Sequence, residues 1–170
     1  LTVSLTDGGA QTDTETITVT VTDIAPVITD NDTGSVSEVA TNGTTIVDIN
    51  ATGDDETLAW SITAGNTNSV FAINGSTGEI TVNDATKLDF ETASSYSLTV
   101  SLTDGGAQTD TETITVTVTD ISPIVTDNDT GVVSEIATNG TSIVDLASTG
   151  DDETLAWSIT AGNTNSVFAI

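Results

Sequence analysis

Residues 1–24 are identical, position for position, to residues 98–121. Residues 25–73 then match residues 122–170 with nine differences, among them Val27/Ile124, Val39/Ile136 and Ile49/Leu146. Most of the apolar changes exchange one β-branched or aliphatic residue for another, which preserves a core side chain. The period of 97 residues is too long for a solenoid repeat and right for a whole domain. The chain therefore reads as the closing strands of one repeat (1–24), one complete repeat (25–121) and the first half of a third (122–170). A first residue of Leu rather than Met reads as an internal piece of something longer. Neighbouring repeats of the same chain are the first partners this organisation implies. Hairpins without a core are marginal in water, so 1–24 and 122–170 are also expected to pair head to tail between neighbouring molecules.

Within the complete repeat the apolar residues follow the period of a strand. Leu58, Trp60 and Ile62 alternate with polar neighbours, as do residues 96–102 and 113–118. Turn residues punctuate them: Asn42-Gly43, Gly53-Asp54-Asp55-Glu56, Asn74 to Gly78, and Asp104-Gly105-Gly106. Short strands at this spacing, with no helical periodicity, predict an all-β fold, a seven-stranded Greek-key β-sandwich repeated in tandem. Trp60, Phe71, Phe90 and Tyr96 are the expected large core residues.

Charge sets the next constraint. There are 26 acidic residues against one basic residue, Lys87, and a formal net charge of −25. No cationic patch can be built from one lysine, which excludes nucleic acid and disfavours anionic membrane surfaces. No apolar run approaches the roughly 20 residues a membrane helix needs, and direct membrane insertion is not expected. An apolar content of 36% at regular β spacing argues against disorder. Self-repulsion must therefore be relieved by salt or by bound cations.

The acidic residues concentrate where one repeat hands over to the next, in Thr22–Asp32 and its copy Thr119–Asp129. Asp, Asn and Gly also dominate solvated turns, and one such loop by itself carries little. Several carboxylates converging on a joint are different, because they repel unless a cation sits among them. The chain has no His and no Cys. That leaves hard oxygen donors, which suit Ca²⁺ and disfavour Zn²⁺ or Cu²⁺.

Four motifs, in order along the complete repeat, resemble those of the cadherin family. They are Ser37-Glu38-Val39, the stretch Leu58–Val82 with its Thr77-Gly78-Glu79-Ile80, Leu88-Asp89-Phe90-Glu91, and Asp104-Gly105-Gly106 followed by a Thr/Val strand ending at Asp120. The near-identical repeats, Thr-rich strands, single Lys and missing Cys look like the bacterial branch, the extender domains of large calcium-dependent adhesins of the repeats-in-toxin class. Phe90 stands where the family has Arg, Asp120-Ile121-Ser122-Pro123 shortens the family linker, and Asp54-Asp55-Glu56 replaces its Asp-X-Asp loop.

The resemblance implies Ca²⁺ as cofactor and a ligand set at each joint. At the second joint these are Glu38, Asp89 and Glu91 from above, Asp120 from the linker, and Asp151, Asp152 and Glu153 from below. At the first joint they are Asp23 with Asp54, Asp55, Glu56 and Asp104. Asp127 and Asp129 are candidates to replace the linker's lost ligands. The implied function is a calcium-rigidified spacer that projects a distal binding domain from a bacterial cell surface, extracellular and without catalysis. A carbohydrate- or protein-binding sandwich is the alternative. A hydrolase using paired carboxylates is disfavoured, since acidic pairs here sit in repeated turns rather than at one unique place.

Overall fold

Alternating Thr/Val sequence favours extended backbone because β-branched side chains suit a pleated surface, and that sequence forms the longest strands. The computed structural model describes residues 1–29, 33–53, 57–126, 129–150 and 154–170. Strands β1 (Thr2–Thr6) and β2 (Thr12–Thr16) form an antiparallel hairpin with Thr2 opposite Thr16. Among the described residues, nine strands follow up to residue 121. They are β3 (Val27–Ile28), β4 (Thr33–Ser37), β5 (Thr45–Asp48), β6 (Ala51–Thr52), β7 (Ala59–Ala64), β8 (Phe71–Ile73), β9 (Glu79–Val82), β10 (Ser95–Thr103) and β11 (Thr109–Thr119). Two short strands, β12 (Ile124–Val125) and β13 (Ser148–Thr149), close the series.

One layer is the sheet β4-β11-β10-β7, and the other contains β5-β9-β8. In the first, β4 runs parallel to β11, whereas β10 is antiparallel to both β11 and β7. The expected strand count differs, because β3 pairs with β6 while β4 pairs with β11. The opening stretch of the repeat is thus divided between two sheets. Segments β5 and β6 divide in the same way, between β9 and β3. Pairing of β12 with β13 repeats that of β3 with β6 in the same register: Ile124 opposes Thr149 as Val27 opposes Thr52.

The two layers are held by their inward faces. Leu98, Val100 and Leu102 of β10, Ile114, Val116 and Val118 of β11, and Ile80 and Val82 of β9 join one cluster and are almost wholly shielded from water. Each such side chain contributes about 1.5–3 kcal/mol on burial. Trp60 and Phe71 belong to that cluster, and Phe90 and Tyr96 pack on its margin half-buried. Phe71 meets Tyr96 edge to face, ring centroids 4.9 Å apart and planes at 84°, the arrangement the ring quadrupoles favour. Of the four expected aromatic core residues, Trp60 and Phe71 are buried, whereas Phe90, which lies in a turn rather than a strand, and Tyr96 stay half-buried at the edge.

Candidate metal centre

Glu38 is the first residue beyond β4. The parallel register sets Ser37 opposite Thr119, and the Glu38 amide donates to the Thr119 carbonyl at 3.2 Å. One strand ending beside another therefore delivers Glu38 to Asp120, the residue after β11. The Glu38 side chain is 3% exposed. Its Oε1 accepts from the Ile121 amide at 2.7 Å, and its Oε2 accepts from the Phe90 amide at 3.1 Å. One buried carboxylate thus pins both the chain leaving the sandwich and the segment that carries Glu91.

The consequence is convergence: carboxylate oxygens of Glu38, Glu91 and Asp120 all lie within 4.8 Å of one another. Glu91 and Asp120 are exposed, so water screens their repulsion, whereas Glu38 is shielded from that screening. The arrangement presents an open, all-oxygen face backed by backbone amides that hold it in position. These are the donors a hard divalent cation takes, with room left for water or further oxygens.

Asp89, grouped with these three by the motif, is turned elsewhere. Its Oδ1 accepts from the Thr92 amide and its Oδ2 from the Thr92 hydroxyl, both at 2.8 Å. The Thr92 hydroxyl chiefly, with the Thr92 amide, holds the Asp89 carboxyl below its ordinary value. Burial, helped by the charge of Asp89, pushes the Tyr96 phenol up.

A second acidic group lies around the turn between β10 and β11. Asp104 is 7% exposed; its Oδ1 accepts from the Gln108 amide at 2.7 Å, while its buried Oδ2 has no hydrogen-bond partner. Leaving a buried acceptor unpaired costs about 1–3 kcal/mol, so this atom fits a place beside a cation. Gly106 reports the neighbour. A Cβ built there would collide with Oδ2 of Asp23 and lie 3.5 Å from Oδ1 of Asp104. The linker carboxylate and the buried one therefore flank the same glycine. Asp129 is exposed and joins neither group. Asp54, Asp55, Glu56, Asp127, Asp151, Asp152 and Glu153 lie outside the described residues.

One structural carboxylate escapes the sequence motifs. Asp110 Oδ2 accepts from the Ile28 amide at 2.8 Å, tying β3 to the start of β11. The available signal was parity: Asp110 occupies an even position in a strand whose even positions face the core.

The cadherin-domain family matches residues 32–119, 88 of the 170 residues. The chain belongs to the cadherin family. It is 34% identical over 175 residues to the "Protocadherin-like wing polarity protein stan" of Drosophila melanogaster, covering 89% of this chain. It is 40% identical over 101 residues to "Protocadherin Fat 4" of Mus musculus, covering 56% of this chain. The chain spans only 5% and 2% of those two relatives. Among solved structures it resembles mouse clustered PcdhgC3 EC1-3, with a TM-score of 0.54 at 25% identity over 70% of this chain and 42% of that one. The human Desmocollin-1 ectodomain gives 0.53 at 24% identity, over 75% and 26%, a likeness of fold. As a cadherin domain, the chain falls in a class typical of adhesion ectodomains. No helix among the described residues is long and apolar enough to cross a membrane, which says nothing of β-barrels.

Proposed function

We propose that this chain is a calcium-stiffened spacer built of tandem cadherin domains, with one domain over 25–121 and parts of its neighbours over 1–24 and 122–170. The observation that carries the reading is the meeting of Glu38, Glu91 and Asp120 at the end of β11, where the chain leaves the sandwich. Ca²⁺ supplies one thing there, a positive charge that lets carboxylates from separate elements stay together. The rest is done by the chain. Glu38 positions Glu91 through the Phe90 amide and the linker through the Ile121 amide. Asp104, with its unpartnered Oδ2, and Asp23 supply the corresponding donors at the first joint. Proline at 26 or 123 already restricts each linker, so fixing a few carboxylates fixes the angle between repeats.

The wider reading is an extracellular extender of a large bacterial surface adhesin of the repeats-in-toxin class. It is supported by the 24-residue identity between successive repeats, the single lysine and the absence of cysteine. The relatives named above are animal proteins, and their names speak only for them. Head-to-tail pairing of 1–24 with 122–170 of a second copy belongs to the same reading. The carbohydrate-binding alternative gains no support over 25–121, where Trp60 and Phe71 are core rather than platform.

Calorimetric titration with Ca²⁺ tests the central reading. The chain should bind, and Glu38→Gln combined with Asp120→Asn should remove the sites at the second joint while leaving those near Asp104. Equal binding by the two proteins would exclude the Glu38 centre.

A further inference from the structure

Asparagine is followed by glycine at three places, Asn42-Gly43, Asn74-Gly75 and Asn139-Gly140. Such a pair can react with itself, because no Cβ on the glycine keeps its backbone nitrogen from the side-chain carbon before it. All three pairs are exposed. Their hydrogen bonds differ, and those bonds decide which pair is free to react.

Asn42-Gly43 is tied at both reacting groups. The Gly43 amide donates to the Val82 carbonyl at 2.7 Å, so the nitrogen that would attack is occupied. Asn42 Oδ1 accepts from the Ala85 amide at 2.7 Å, which draws the side chain toward a segment 43 residues away. Residues 138–141 repeat the tetrapeptide Thr-Asn-Gly-Thr of 41–44, and among the described residues neither of those bonds has a counterpart there.

Asn74-Gly75 lies in the turn between β8 and β9. The Asn74 amide donates to the Glu79 carbonyl at 2.8 Å and the Gly78 amide to the Asn74 carbonyl at 2.9 Å, whereas the Gly75 amide has no acceptor among the described residues. Asn74 Oδ1 accepts from the Ser76 amide at 3.0 Å and the Thr77 amide at 3.3 Å. Both donors follow Gly75 directly and keep the side chain over the turn. Two amides on that oxygen also stabilise the negative charge it takes up when its carbon is attacked.

We infer that Asn74-Gly75 is a site of spontaneous modification, and that the fold shields Asn42-Gly43 from the same reaction. Hydroxide removes the Gly75 amide proton, and the nitrogen bonds to Cγ of Asn74. The bond from Cγ to Nδ2 then breaks, and Nδ2 takes a proton from water and leaves as ammonia. Water opens the resulting succinimide at one carbonyl or the other, giving aspartate or isoaspartate. Either product adds a negative charge to the turn. Isoaspartate also adds a methylene to a backbone whose Gly75 carbonyl accepts from the Trp60 amide of β7 at 2.9 Å, which loosens that link.

Site-resolved mass spectrometry of the chain aged at mildly alkaline pH tests this. In the folded chain Asn74 and Asn139 should convert several-fold faster than Asn42. In concentrated urea Asn42 and Asn139, with their shared tetrapeptide, should convert at equal rates. Gly75→Ala, whose Cβ meets only the Trp60 carbonyl at 3.5 Å, should slow conversion at 74 several-fold while circular dichroism shows the fold unchanged. Asn42 keeping pace with Asn74 or with Asn139 in the folded chain would overturn the proposal. So would an Asn74 that stays intact while the urea-unfolded chain converts, or one whose rate ignores Gly75→Ala.

Discussion

Glu38 gathers two roles in one carboxylate. Its oxygens take the Ile121 and Phe90 amides, and hydrogen bonds to a charged group contribute about 1.5–3 kcal/mol each. In chelator, Glu38→Ala should lose roughly 2–4 kcal/mol by urea unfolding, less than the sum of two bonds because the repulsion from Glu91 and Asp120 is relieved. Asp89 yields a titration. Its folded carboxyl ionises below 3.8, held down first by the Thr92 hydroxyl, so its contribution is present above 3.8 and is lost as pH falls through the lower folded value. Carboxyl NMR should show that depressed midpoint, and Thr92→Val should return it toward 3.8. Tyr96 has the opposite sense: its phenol is raised above 10.0 by burial, so stability falls as pH rises past 10.0. The motif placed Asp89 beside Glu91 in sequence, but hid the fact that a threonine three residues on occupies both its oxygens.

At the scale of elements, identical sequence takes two forms. Residues 1–24 and 98–121 are the same, yet β2 spans Thr12–Thr16 whereas its copy β11 runs Thr109–Thr119. The difference lies in what adjoins them: β11 has β4 on its far side and β10 has β7, while among the described residues neither β1 nor β2 has an outer neighbour. Alternation therefore made the strands legible, with Trp60 on an inward face, but not where each strand ends. Those limits are set by partners distant in sequence. The division of the opening stretch between β3 and β4 was illegible for the same reason. Close approach of strands can be tested at Gly65, whose φ is +81° and whose added Cβ would collide with the Ser97 carbonyl of β10. Gly65→Ala combines a left-handed conformation with backbone overlap and should cost roughly 2–3 kcal/mol by denaturant unfolding.

Across the whole molecule, the acidic motifs are far apart in sequence, and their order alone groups Glu38, Glu91 and Asp120. The parallel pairing of β4 with β11 turns that order into a cluster of three carboxylates. The buried, unpaired oxygen of Asp104 could not be read in advance, since its burial depends on the packing of a turn. A cation held only by the folded state adds about 2.7 kcal/mol at a hundredfold excess over its dissociation constant, so saturating calcium should raise the melting temperature by about 10 °C or more for a domain of this size. The most direct measurement is small-angle X-ray scattering of the chain in excess calcium and in chelator. Calcium should lengthen and narrow the distance distribution as the joints stiffen, and chelation should broaden it. Superimposable profiles under the two conditions would contradict the account.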